Sequence, residues 1–197
     1  HSMVNGTSEF VNQLAIAITT VVFNRSALLF AGENGVAAVS IIMYLQFLCI
    51  GIYFGFSMGL STPLGYAYGD RNFSVCHVLE KYAYRFFAIA PIILYGCTYL
   101  LAPIGVRFFA SPGSTVFDMA VSGLRLYGLG FLFSGINIFA AIRMMTYGKG
   151  YISGMITFLR SFALLLLFLT VLPRFLELNG IWLAVPAAEI LTLIVLS

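Results

Sequence analysis

Residues 34–69 carry no charged side chain, and Asp70 and Arg71 follow at once. A helix that crosses the hydrocarbon of a bilayer needs about 20 apolar residues at about 1.5 Å each. The run is long enough to cross and to project beyond, and no water-soluble domain can cover so much apolar helix. It closes on Pro63, Gly65 and Gly69, residues that stop a helix. The chain is therefore expected to be an all-α, polytopic membrane protein whose chemistry is done in hydrocarbon.

Composition supports this where it bears on the argument. Hydrophobic residues make up 61% of the chain and charged residues 9%, against about 25% charged in an ordinary globular domain. The 197 residues leave room for about six spans and short loops. A net charge of +3 on scattered basic residues excludes a nucleic-acid partner. Cys49, Cys76 and Cys97 lack metal-ligand spacing and read as apolar helix residues, so no cofactor is expected. Three glycosylation triplets, at Asn5, Asn24 and Asn72, are too common a pattern to carry meaning alone.

No basic segment leads the first apolar run, so no signal peptide is expected. Residues 1–3 read as a cloning remnant, residues 4–197 as one membrane unit, and both ends suggest a piece of something longer. Turn signals divide the unit into spans at about 9–31, 36–60, 78–101, 115–147, 151–172 and 180–197. Pro91 is expected to kink the third span, and Pro103 and Pro112 to bound the loop after it. Every backbone amide inside hydrocarbon must be paired, which requires helices here. Arg71, Lys81, Arg85, Arg143 and Lys149 fall on one side, against Arg107 and Arg174 in loops on the other. The first side, with both termini, is expected to be cytoplasmic.

Polar residues inside the spans are the candidates for function. Glu9, Gln13, Thr20 and Asn24 project within about 60° of one another on a helix. A polar stripe of that length is costly against lipid and should face a protein interior or a water-filled cavity. Tyr44 and Gln46 in the second span and Asn137 in the fourth are candidate lining residues of the same cavity. Interhelical hydrogen bonding without transport would also explain the stripe. Gly51, Gly55 and Gly59 form a ridge that another helix could approach. The same glycines create Gly55-Phe56-Ser57-Met58-Gly59, a formal nucleophile elbow. The strand-to-helix turn that chemistry needs is missing from a continuous apolar run, so no enzyme is expected. Arg160 and Glu189 both lie deep in antiparallel spans, at about 20 and 14 Å from their shared loop. They are expected to form an intramembrane ion pair, because an unpaired charge there costs several kcal/mol.

Several stretches then carry a family resemblance. They are Ser8-Glu9-Phe10-Val11-Asn12-Gln13-Leu14, Phe23-Asn24, Gly35-Val36-Ala37-Ala38 and Gly59-Leu60-Ser61-Thr62-Pro63-Leu64-Gly65-Tyr66-Ala67-Tyr68-Gly69. Leu159-Arg160-Ser161, Leu172-Pro173 and Gly180-Ile181-Trp182-Leu183-Ala184-Val185-Pro186-Ala187-Ala188-Glu189 complete the set. On these the chain resembles the C-terminal half of multidrug and toxic compound extrusion (MATE) transporters, along nearly its whole length. The resemblance implies a six-helix lobe, one of two related by a pseudo-two-fold axis. It also implies export of amphipathic, often cationic drugs and toxins by alternating access, coupled to H+ or Na+ entry, in a bacterial inner membrane. Some family members carry coupling acids in the first and fourth helices of this lobe. Here the middle of span one offers Gln13 and Asn24, and Asp118 comes too early in span four. Partners implied are the lipid bilayer and a missing N-terminal six-helix lobe or a second copy of the chain. A lipid-linked flippase, which would need converging cations such as Arg25, Arg125 and Arg160, and a non-transporting module paired with a partner chain are the alternatives.

Overall fold

The computed structural model describes the backbone of residues 2–196, and the side chains of Ala15 and residues 17–196. Among the described residues all regular structure is helical. The helix Ser2–Gly69 contains one non-helical residue, Gly32, at φ 62° and ψ −154°. Gly32 divides it into α1 (residues 2–31) and α2 (residues 33–69). The others are α3 (Phe73–Arg107), α4 (Thr115–Thr146), α5 (Gly150–Val171) and α6 (Pro173–Leu196). These six helices form one lobe.

Two of its corners are built alike. The backbone breaks at Gly32 between α1 and α2, and at Glu177, with φ 51° and ψ −129°, in the first turns of α6. Three residues beyond each break stands a glycine. A Cβ on Gly35 would lie 2.7 Å from the Ala27 carbonyl oxygen, and one on Gly180 would lie 2.5 Å from that of Leu172. In both corners the glycine thus meets backbone five residues before the break. The sequences follow suit: Phe30, Asn34 and Gly35 in one, Phe175, Asn179 and Gly180 in the other. Only a residue without Cβ lets two helices leave so tight a turn.

α4 is the central helix. Over its most apolar stretch 56% of residues are buried, against 17% for α3 and 11% for α5. Small residues let the neighbours in. Gly123 lies under Ile42 and Trp182, Gly128 under Tyr95, Gly130 under Val185, and Gly135 under Phe87 and Tyr53. Phe23, Tyr53, Phe87, Phe131, Phe139 and Trp182 fill the core. The Tyr53 hydroxyl donates to the Phe131 carbonyl at 2.9 Å, so this phenol is not left unpaired in an apolar interior. Outside, Phe47, Leu100, Phe108, Tyr151 and Phe175 are each more than 70% exposed, a surface that only lipid or another apolar body can cover.

Two sequence expectations are corrected. α2 runs through Pro63 to Gly69, since membrane helices tolerate proline where neighbouring groups compensate the lost hydrogen bond. α3 likewise runs through Pro103 to Arg107. Proline at 103 has no N–H for the Tyr99 carbonyl four residues earlier, and Arg125 Nε donates to that carbonyl at 3.2 Å instead. The guanidinium also lies 4.7 Å from the Tyr99 ring centroid. The ridge of Gly51, Gly55 and Gly59 is open among the described residues: a Cβ at any of them would find nothing within 4 Å.

Candidate functional site

Glu189 sits on α6, three residues before Thr192, four after Val185 and three after Pro186, and is 6% exposed. Its carboxylate is fully engaged. Arg160 Nη1 of α5 donates to Oε1 at 2.9 Å. Asn137 Nδ2 of α4 lies 2.7 Å from Oε2 and 2.9 Å from the Glu189 backbone carbonyl. Three helices therefore meet at one buried carboxylate. Asn137 is itself fully buried, and its Oδ1 has no partner. Tyr127, also buried, lies within electrostatic reach of both Glu189 and Arg160.

The helix carrying Arg160 is locally widened. Leu159–Ala163 is a π-helical turn, in which the Leu164 N–H reaches back five residues to the Leu159 carbonyl. Such single-turn bulges re-aim the side chains they hold and recur at functional sites. Thr19 of α1 closes the other side: its hydroxyl donates to the Ala15 carbonyl at 2.8 Å and lies 3.5 Å from the Ser161 carbonyl.

On α1 the face packed into the lobe is Ala15, Thr19, Phe23 and Ala27, all buried. Thr20 and Asn24 each follow a packed residue by one position, a turn of about 100°, and stand half-buried at the edge of that face. Asn24 Nδ2 donates to the Thr20 carbonyl at 3.1 Å. Asn24 also lines a groove of about 560 Å³ at the α1–α2 corner, with Arg25, Leu28, Glu33, Val36 and Ala37. The side chains of Glu9 and Gln13 lie outside the described residues.

The remaining candidates separate. Tyr44 and Gln46, two positions apart, diverge by about 160° on a helix and do not share a face. Tyr44 is 66% exposed and stacks on Phe109 at 6.0 Å, whereas Gln46 is half-buried toward the lobe. Asn137, grouped by sequence with the cavity stripe, is enclosed within the lobe beside Glu189. Arg25, Arg125 and Arg160 do not converge: Arg25 is exposed at the corner groove, Arg125 serves Tyr99 and Arg160 serves Glu189. Gly55–Gly59 is uninterrupted helix, Ser57 is fully buried and its hydroxyl is unpartnered, so no nucleophile elbow exists.

A second polar cluster escaped the sequence reading. Arg143 Nε of α4 lies 2.6 Å from Glu80 Oε1 of α3, out of line with its N–H, so the contact is ionic rather than a hydrogen bond. Arg143 Nη1 donates to the Tyr84 hydroxyl at 2.7 Å, and the Tyr147 hydroxyl donates to Glu80 Oε1 at 2.6 Å. Tyr147 in turn stacks on Tyr68 of α2 at 4.4 Å. Sequence shows Arg143 and Glu80 only as single charges near helix ends, with nothing to pair them across the fold.

Known structures share this architecture. An outward-facing multidrug resistance MATE family transporter of the MOP superfamily superposes with a TM-score of 0.86 at 23% identity, over 96% of this chain and 43% of that one. An inward-facing form gives 0.88 at 22% identity, over 96% and 44%. A MOP superfamily transporter from Pyrococcus furiosus, described as having a binding pocket of reverse polarity, gives 0.86 at 22% identity, over 96% and 43%. The chain thus spans less than half the length of these structures and has the fold of one of their lobes. No curated protein matches it. Residues 9–172, most of the chain, match the MatE family model, and the chain belongs to the MatE family.

Proposed function

We propose that this chain is one lobe of a transporter that exports amphipathic, often cationic compounds by alternating access, in exchange for entering H+ or Na+. The observation that carries the reading is the division of labour on α1. Its packed face is apolar apart from Thr19, while the polar positions Thr20 and Asn24 stand at the edge of the lobe. A polar helix edge beside the packed face, rather than within it, is suited to a passage shared with a second bundle. Glu9, Gln13, Thr20 and Asn24 are the proposed lining of that passage, with Tyr44 and Gln46 at its margins. Glu189, Arg160 and Asn137 form the buried polar joint beneath it. The second bundle is a preceding six-helix lobe or a second copy of the chain.

The loop charges orient the lobe. Arg71, Lys81, Arg85 and Lys149 gather at the ends where α2 meets α3 and α4 meets α5. We place that side in the cytoplasm of a bacterial inner membrane.

The test is ethidium efflux from cells or vesicles energised by a proton or sodium gradient, using the intact protein. Glu9→Gln, Gln13→Ala and Asn24→Ala should each slow efflux about tenfold or more while leaving expression unchanged. Full activity in all three would remove α1 from the passage. Gradient-driven efflux by a monomer of this chain alone would remove the two-lobe reading.

A further inference from the structure

The cytoplasmic end of α3, as oriented above, carries a cationic face that the core does not use. His77, Lys81 and Arg85 are all exposed and stand at intervals of four residues, within about 80° of one another. With Glu80, Tyr84 and Ala88 they line a groove of about 490 Å³. Its only acid, Glu80, is already held by Arg143 and Tyr147. The Tyr84 hydroxyl is likewise occupied by Arg143. Among the described residues, Lys81 and Arg85 therefore have no free anion against them in the groove.

Their depth is set by the rest of α3. Residues 86–106, between Arg85 and Arg107, contain no charged side chain. At about 1.5 Å per residue they span about 30 Å, the thickness of the hydrocarbon core. Arg85 thus stands at the boundary of hydrocarbon and headgroups, and Lys81 and His77 stand one and two turns further out. On the same face below Arg85 come Ala88 and Ile92, with Ile89 beside them. Ile89 and Ile92 are 60% and 65% exposed. One stripe thus passes from cations in the headgroup layer to bare aliphatic surface in the chain layer.

We propose that this stripe of α3 binds an anionic phospholipid, with its phosphate held by Lys81 and Arg85 beside His77, and its acyl chain along Ala88, Ile89 and Ile92. A phosphate diester suits the site because a guanidinium and an ammonium one helical turn apart can bind its two free oxygens from adjacent sides. The apolar continuation selects a lipid over a soluble phosphate.

The experiment is a native mass-spectrometric titration of the delipidated intact protein with phosphatidylglycerol, phosphatidylcholine of the same chains, and inorganic phosphate. Phosphatidylglycerol should bind at least tenfold tighter than phosphatidylcholine, and millimolar phosphate should not displace it. Each cation is worth about fivefold at such a surface, so Lys81→Gln/Arg85→Gln should weaken phosphatidylglycerol about 25-fold. Lys149→Gln/Arg174→Gln should leave it unchanged. The charge-preserving pair Lys81→Arg/Arg85→Lys should retain binding within a few-fold, and it decides the matter if the neutral pair fails to fold. Equal binding of the two lipids would overturn the proposal. So would displacement by phosphate, unchanged affinity in a folded neutral pair, or loss of binding in a folded charge-preserving pair.

Discussion

Arg160 of α5 and Glu189 of α6 meet at 2.9 Å inside the lobe, with Asn137 of α4 closing the second carboxylate oxygen. The pair lets two ionised groups persist in an apolar interior, because each neutralises the other and a third helix supplies the remaining hydrogen bond.

Breaking the pair should therefore cost more than removing it. Arg160→Met and Glu189→Leu alone should each destabilise the lobe by about 3–5 kcal/mol, through the charge left behind. The double substitution should recover most of that loss. Thermal unfolding in detergent, run as a double-mutant cycle, measures the coupling; additive losses would show that the two groups act independently. Glu189→Gln retains an acceptor for Asn137 and should be milder than Glu189→Leu.

The Arg125 bond to Tyr99 predicts a dependence on proline. Arg125→Met should cost about 1.5–3 kcal/mol, the usual worth of a hydrogen bond to a charged group. In a Pro103→Ala background the restored N–H can satisfy the Tyr99 carbonyl within the helix, and the same substitution should cost less than half as much. An equal loss in both backgrounds would mean that Arg125 acts elsewhere.

The two corners make opposite predictions for glycine. Glu177 adopts a backbone conformation that costs a non-glycine residue about 1–3 kcal/mol. Glu177→Gly should raise stability by about 1 kcal/mol after the entropic penalty of glycine. Gly32→Ala should lower it by about 1–3 kcal/mol. Gly180→Ala, which drives a methyl into the Leu172 backbone at 2.5 Å, should be the most damaging, at 3 kcal/mol or about that. Melting temperatures of the four proteins would rank them.

Along α2, Gly51→Ala, Gly55→Ala and Gly59→Ala should leave the isolated lobe intact or stabilise its helix by up to about 1 kcal/mol each, because nothing among the described residues lies against them. If the ridge instead seats a second bundle, the same substitutions should weaken transport in the intact protein without lowering the melting temperature of the lobe. Comparing efflux with stability separates the two cases.

How far the sequence reaches is visible residue by residue. The charge-free run before Asp70 identifies a membrane helix because transfer of charge into hydrocarbon is prohibitive whatever the fold. Periodicity alone places Thr20 and Asn24 on one stripe, but only the packed set of Ala15, Thr19, Phe23 and Ala27 shows that the stripe lies beside the core rather than in it. Pro63 and Pro103 read as helix stops because a sequence shows the missing N–H. It cannot show the group that compensates, which for Tyr99 is Arg125 from another helix. The Glu80–Arg143–Tyr147 cluster is invisible for the same reason: its members are 63 and 67 residues apart by number and meet only when α3 lies on α4.

The sequence by itself determined the solvent of this protein, its helical class and its family. Each follows from local hydropathy, spacing or motif, which act before any long-range contact forms. Tertiary structure decided which polar atoms are spent inside the lobe and which remain at its edge. That choice depends on how far neighbouring helices approach, and the approach is set by Gly123, Gly128, Gly130 and Gly135 meeting side chains distant in the chain.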